Sequence, residues 1–309
     1  MRRVVAISNG KGGVGKTSLT AGLAGLVAAS GYRVLTVDMD PQGNLRRDLG
    51  YPDADQGFNL TSAIRDGAPL VPLRGVREGL DCVPGGATLS DLPATFISRS
   101  ARGDVMSGLS TVLGQVRPEG EPHADYDLVL IDTPPGEPIL QDLVLTAADY
   151  LVIPTRSDDA SIDGLVTVAQ RFMRARESNP GLMLLGVLLF GVGARSTRLR
   201  TTVRAALDDI LEGAAPVFES SIRYLESAAI DIRRHSLLPH ELEASQLAEK
   251  SERLARLRNR EGAGAERLLS RDASGLAGDY NALARELLEA IAEHENHRLL
   301  TNPAAAAGA

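Results

Sequence analysis

The stretch Ser8-Asn9-Gly10-Lys11-Gly12-Gly13-Val14-Gly15-Lys16-Thr17-Ser18 decides the fold. It follows a short apolar run, Val4-Val5-Ala6-Ile7, that reads as a β-strand. It precedes Leu19, Leu23, Leu26 and Val27, which recur at helical spacing. Strand, glycine-rich turn and helix are the context that a phosphate-binding loop requires. Gly10, Gly15, Lys16 and Thr17 satisfy G-x-x-x-x-G-K-[ST] without a mismatch. Glycines let successive backbone N–H groups close round a phosphate with no Cβ in the way. The start of the helix adds its positive dipole end. In such a loop Lys16 gives a full charge to the β- and γ-phosphates, and the Thr17 hydroxyl is placed to ligate Mg²⁺. The stretch implies binding of a nucleoside triphosphate.

Two more strand ends carry carboxylates. Tyr32 to Val37 reads as a second strand and runs into Asp38-Met39-Asp40-Pro41-Gln42-Gly43-Asn44. In an open parallel sheet, ligands lie beyond the carboxyl ends of the strands, where these aspartates fall. Asp127-Leu128-Val129-Leu130-Ile131-Asp132 is a near-continuous apolar run, as expected of a buried parallel strand, and Thr133-Pro134-Pro135-Gly136 follows it. This is the Walker B pattern, in which Asp132 holds magnesium through a water. A carboxylate at a strand end can equally cap a turn or a helix; the company of the loop favours the site.

Lys11 is not required by the general motif. With it the loop reads Lys-Gly-Gly-Val-Gly-Lys-Thr, which resembles the deviant Walker A box of the ParA/MinD family of ATPases. Asp38 to Asn44 resembles the D-x-D-P-Q-G-N segment of that family, and Asp132 to Pro135 resembles its switch II. The resemblance runs in motif order over residues 3 to 245. It implies an α/β fold of the P-loop NTPase type, a mostly parallel twisted sheet flanked by helices on both faces.

The same resemblance implies ATP and Mg²⁺ as cofactors, with Gly10 to Ser18 binding the nucleotide. Lys11 would reach across a nucleotide-sandwich homodimer to the partner's phosphates. Asp40 would position the attacking water, giving Lys11, Lys16 and Asp40 as catalytic candidates. Asp38 would support the magnesium shell beside Thr17 and Asp132. The switch Thr133, Pro134, Pro135 and Gly136 would sense the γ-phosphate. ParA proteins hydrolyse ATP weakly, bind DNA nonspecifically when dimeric, and are stimulated by a ParB-like centromere-binding partner. The implied role is plasmid or chromosome partitioning in the cytoplasm, on the nucleoid.

Composition bounds this reading. The 309 residues suffice for one large α/β domain or two small ones. Cys82 is the only cysteine, which excludes an intramolecular disulfide and the shared iron–sulfur cluster of the nitrogenase iron-protein branch. A net charge of −7 means that nucleic-acid contact needs a local patch. Arg195, Arg198, Arg200 and Arg204 form one, within ten residues that contain no acid. Arg223, Arg233 and Arg234 are further candidates for phosphate contacts. Only Lys11, Lys16 and Lys250 are lysines among 33 basic residues, a bias that a GC-rich genome produces, so arginine counts alone say little. That scarcity makes the loop lysines more informative.

No apolar run approaches a membrane span, and no signal peptide precedes Arg2-Arg3-Val4. The last helical segment is acidic at Glu286, Glu289, Glu293 and Glu295, which disfavours membrane binding of the MinD kind. The alternative is a MinD-like or cargo-positioning ATPase acting on a membrane, scaffold or microcompartment. Residues 1–260 read as the ATPase domain, 261–300 as a C-terminal helical extension, and 301–309 as a disordered alanine-rich tail. One departure stands out. The Ile-Pro-Arg-Asn usual in the family after the last core strand is here Ile222-Arg223-Tyr224-Leu225, so the adenine contacts are left open.

Overall fold

The computed structural model describes residues 3–52, 54–100, 108–118, 120, 125–156, 159–192, 216–259 and 272–301, together with positions 198, 201, 202 and 205. The first half of the chain gives β1 (Val4–Ile7), α1 (Lys16–Ala29), β2 (Val34–Asp38), α2 (Leu45–Leu49), α3 (Phe58–Asp66), β3 (Leu73–Arg77) and β4 (Leu80–Val83), then α4 (Leu92–Ser100), α5 (Gly108–Gln115) and β5 (Leu128–Asp132). The second half gives α6 (Pro138–Ala147), β6 (Tyr150–Thr155), α7 (Asp159–Ser178), β7 (Met183–Val192) and β8 (Val217–Arg223). It ends with α8 (Glu226–His235), α9 (Pro239–Asn259) and α10 (Ser274–Thr301).

The described strands make one sheet in the order β3-β4-β2-β5-β1-β6-β7-β8, parallel throughout except for the antiparallel edge strand β3. β1 sits between β5 and β6 and is fully buried, which is why Val4-Val5-Ala6-Ile7 is apolar on both faces. Alternate residues feed two cores, one on each face. Val4, Ala6, Leu35 and Val37 join the core under α3 to α7. Val5, Ile7, Val34, Leu128 and Leu130 join the core under α1 and α8 to α10. Leu19 and Leu23 of α1 are fully buried there, each stabilising by roughly 1.5–3 kcal/mol.

Register positions the site. Asp38 at the end of β2 stands opposite Asp132 at the end of β5, and Asp132 stands opposite Ile7 at the end of β1. Asp38 continues the face of Val34 and Asp132 that of Leu128 and Leu130, so both carboxylates lie on the α1 side of the sheet. The loop between β1 and α1 begins one residue beyond Ile7.

The strands expected at Val4 to Ile7, Tyr32 to Val37 and Asp127 to Asp132 agree with β1, β2 and β5. Between β4 and β5 lie α4 and α5, with 101–107 outside the described residues. The Arg195 to Arg204 cluster lies largely outside them as well. Strand β3 carries no alternating signal, since its residues are all half or fully exposed. No helix among the described residues is long and apolar enough to cross a membrane.

Candidate nucleotide site

The loop from Gly10 to Thr17 is held from below. Asn9 is buried; its side-chain amide donates to the Pro154 carbonyl at 2.8 Å, and its Oδ1 accepts the Lys11 N–H at 2.9 Å. Gly15 adopts φ 90°, and a Cβ there would overlap the Phe190 ring, so both the turn and the packing require glycine. Helix α1 begins at Lys16 with no side-chain cap, leaving its first N–H groups for a ligand. The Lys16 ammonium is buried and donates to the Lys11 carbonyl oxygen at 2.9 Å, spanning the loop. Val14 is buried too, so among the loop residues it serves the core.

The three aspartates lie within electrostatic reach of one another. Asp38 is fully buried; its carboxylate accepts the Asp40 N–H at 2.9 Å and the Leu45 N–H at 3.1 Å, fixing the turn that presents Asp40. Burial pushes Asp38 up to about 7, the negative charge of Asp40 adds to this, and the two backbone bonds oppose it. Burial, with the charge of Asp38, also drives Asp132 well above the usual carboxylate range, against the pull of Thr17 and the Lys16 ammonium. Lys16 is shifted down by burial, opposed by Asp132 and Asp40.

Neither carboxylate oxygen of Asp132 has a partner in good hydrogen-bonding geometry, although both are buried and the Thr17 hydroxyl lies close enough to favour the charged form. A buried carboxylate so poorly partnered is costly unless a cation or ordered water completes it. Beside Thr17 this is the environment a hydrated Mg²⁺ would satisfy, because Mg²⁺ is commonly held by one or two carboxylates together with substrate phosphates. Among the described residues no three His, Cys, Asp or Glu side chains gather to hold an ion unaided.

The Thr133–Gly136 segment lies against the loop. Gly136 donates its N–H to the Gly10 carbonyl at 3.2 Å, the Thr133 hydroxyl donates to the Ile7 carbonyl at 2.9 Å, and Gln141 ties down the Pro134 carbonyl at 2.8 Å. From the loop a cleft of about 470 Å³ runs between α1 and the β8–α8 turn, within the range of small-ligand sites. Gly13, Lys16, Thr17, Ser18, Asp40 and Pro135 line its phosphate end, where the Phe190 ring packs against Gly15; Ile222, Tyr224 and Leu225 at the β8–α8 turn line the other side. Arg156 lies 5.9 Å from the Tyr224 ring centroid in cation–π contact.

Several lining residues were not identified from sequence. Arg156, Phe190 and Tyr280 belong to no motif, and Asp48, whose carboxylate accepts the Ser18 hydroxyl at 2.8 Å, reads as an ordinary helix acid. Only Tyr224 left a trace, as the departure from Ile-Pro-Arg-Asn.

Of the seven arginine candidates, four fall within the described residues. Arg198 is exposed, while Arg195, Arg200 and Arg204 lie outside the described residues. Arg233 and Arg234 are exposed in the last turn of α8, and Arg233 also lines the cleft. Arg223 is committed to an ion pair with Asp279, Nε to Oδ2 2.7 Å, so it lines the nucleotide cleft with a partner already in place.

A phosphate loop, a carboxylate-terminated neighbouring strand and a cleft on the helix side define a P-loop nucleotide-binding protein. The family model described as an AAA domain matches residues 2–183. The chromosome partitioning protein ParA of Caulobacter vibrioides is 35% identical over 213 residues, 67% of this chain and 77% of that protein. The sporulation initiation inhibitor protein Soj of Bacillus subtilis is 34% identical over 204 residues, 63% of this chain and 75% of Soj. Among solved structures, cobyrinic acid a,c-diamide synthase from Mycobacterium smegmatis with bound ADP and magnesium superposes with a TM-score of 0.61 at 28% identity, covering 76% of this chain and 93% of that one. McdA of Cyanothece, at 22% identity, shares the fold with a TM-score of 0.64 over 78% of this chain and 93% of its own. The chain belongs to the ParA/Soj family of partitioning ATPases.

Proposed function

We propose that this protein is a Mg²⁺-dependent ATPase that closes into a nucleotide-sandwich homodimer, binds DNA without sequence preference in that state, and partitions a plasmid or chromosome. A ParB-like centromere-binding protein is the proposed activator of a slow basal hydrolysis. The observation that carries the chemistry is the buried carboxylate of Asp132, beside Thr17 and Lys16 and without a partner in good hydrogen-bonding geometry.

In this reading the loop N–H groups and the α1 N-terminus cradle the phosphates. Lys16 leaves the Lys11 carbonyl to pair with the β- and γ-phosphate oxygens. Thr17 and Asp132 hold Mg²⁺, with Asp38 behind them; the ion supplies charge neutralisation to the transferring phosphoryl group. Asp40 orients the attacking water, and Lys11 reaches the partner's phosphates, stabilising the charge that builds there. Pairing two chains doubles the exposed arginines, which lets an acidic chain bind DNA only when dimeric. A place in the cytoplasm, on the nucleoid, follows from that binding.

DNA affinity measured without nucleotide, with ADP and with ATP tests the whole. Binding confined to ATP, and falling steeply with salt, is expected of phosphate contacts. Equal affinity in all three states contradicts the proposal.

A further inference from the structure

Helix α10 begins far beyond residue 183, where the family match ends, yet it reaches the nucleotide cleft. Two consecutive residues in its early turns hold the two opposite walls. On the β8 wall, Asp279 accepts Arg223 Nε at 2.7 Å, Nη2 at 2.8 Å and the Arg223 backbone N–H at 2.9 Å. Gly275, one turn earlier, lets the guanidinium lie across the helix, since a Cβ there would overlap Nη1. On the α1 wall, the buried Tyr280 hydroxyl donates to the Ser18 carbonyl oxygen at 3.2 Å. Its ring covers Gly22, whose missing Cβ makes the approach possible. Arg223, Ser18 and Tyr280 all line the cleft.

Resting on the reading of this cleft as a nucleotide site, we propose that Asp279 and Tyr280 are positioning residues for the nucleotide. They set the separation between the first turn of α1, which follows the phosphate loop, and the β8–α8 turn on the other side of the cleft. Neither side chain need touch the ligand: Asp279 acts through Arg223, and Tyr280 acts through Ser18. The rest of α10 is fastened elsewhere. Glu286 accepts the Glu219 and Ser220 N–H groups at 2.7 and 2.9 Å, and Glu295 pairs with Arg3 Nε and Nη2 at 2.9 and 2.8 Å. The Glu295 pair is therefore the natural control: the same helix, the same bidentate chemistry, no part of the cleft.

The test uses the full chain and four variants: Asp279→Asn, Asp279→Glu, Tyr280→Phe and Glu295→Ala. Calorimetry gives the Kd for ATP and for ADP, steady-state hydrolysis gives KM and kcat, and thermal melts are taken without nucleotide. The expected result for Asp279→Asn is a Kd and KM about tenfold higher, from loss of a charge-assisted fork, with kcat within about twofold of wild type. Asp279→Glu restores most of the affinity, and Tyr280→Phe weakens binding by about threefold, as loss of one neutral hydrogen bond allows. Glu295→Ala lowers the melting temperature but leaves both Kd values unchanged. If Asp279→Asn and Tyr280→Phe bind nucleotide as wild type does, or if Glu295→Ala weakens it as much as they do, α10 is only a structural brace and the proposal is overturned. A wild-type chain that binds neither ATP nor ADP overturns the nucleotide reading itself, before any variant is measured.

Discussion

The Lys16 ammonium donates to the backbone carbonyl of Lys11 at 2.9 Å, so the two lysines of the loop are joined through the main chain across its mouth. Burial lowers the pKa of Lys16, and the nearby Asp132 and Asp40 only partly compensate. A phosphate chain in the loop would complete that compensation. Replacing Lys16 by Ala removes both the spanning bond and the buried cation. ATP affinity by calorimetry is expected to fall by about a hundredfold or more, consistent with losing charge-assisted bonds to phosphate. A Kd within threefold of wild type would remove Lys16 from the site.

Asp38 makes stability depend on pH. In the unfolded chain its carboxyl ionises near 3.8, whereas in the fold burial holds it at about 7. Between these values the unfolded chain binds fewer protons, so this residue destabilises the fold progressively as pH rises from about 4 to 7 and contributes no further slope above. His240 and His294, both shifted down chiefly by burial, act the other way below their ordinary range, so the comparison is made against Asp38→Asn. Denaturant melts without nucleotide or metal should show the variant gaining on wild type by on the order of 2 kcal/mol between pH 5 and pH 7. A constant difference over that window would contradict the shift.

Gly22 is required by the Tyr280 ring rather than by its own backbone. A Cβ would overlap three ring atoms, and a rigid ring cannot yield as a flexible side-chain end can. Gly22→Ala gains helix propensity but overpacks the α1–α10 contact. The expected net loss is about 1–3 kcal/mol, read from the denaturation midpoint. Adding Tyr280→Leu should recover part of it; no recovery would place the strain elsewhere.

The DNA assignment separates into two groups. Arg198, Arg200 and Arg204 come from the sequence cluster, and Arg233 and Arg234 from the exposed last turn of α8. Replacing either group by Ala should weaken ATP-dependent DNA binding uniformly across sequences. The salt slope should become shallower by about 0.9 for each phosphate that is no longer neutralised. Arg223→Ala should instead act on nucleotide affinity, because its guanidinium is held by Asp279. The reverse pattern would exchange the two roles.

What the sequence made legible follows from where the information is local. Strands β1, β2 and β5 are buried on both faces, so they appear as near-continuous apolar runs, and the aspartates at the ends of β2 and β5 stand out against them. The loop is legible because phosphate binding needs particular residues at fixed spacing. Strand β3 is illegible because an exposed edge strand with Arg and Gly carries no alternating pattern. The remaining lining of the cleft is illegible for a different reason. Phe190, Tyr224 and Tyr280 come from three distant segments whose meeting is a matter of packing. The docking of α10 likewise rests on Asp279, Tyr280 and Glu286, which look like ordinary helix residues until their partners are seen.

The central claim is that Lys11 joins two chains across ATP. Solution mass by light scattering, with Mg²⁺ and ATP, tests it on two variants: Asp40→Ala, and Asp40→Ala combined with Lys11→Ala. The account predicts that Asp40→Ala binds ATP, hydrolyses it at least about a hundredfold more slowly, and accumulates as a dimer. It predicts that the double variant binds ATP but stays a monomer. A double variant as dimeric as Asp40→Ala, or an Asp40→Ala chain that remains monomeric with ATP bound, would contradict it.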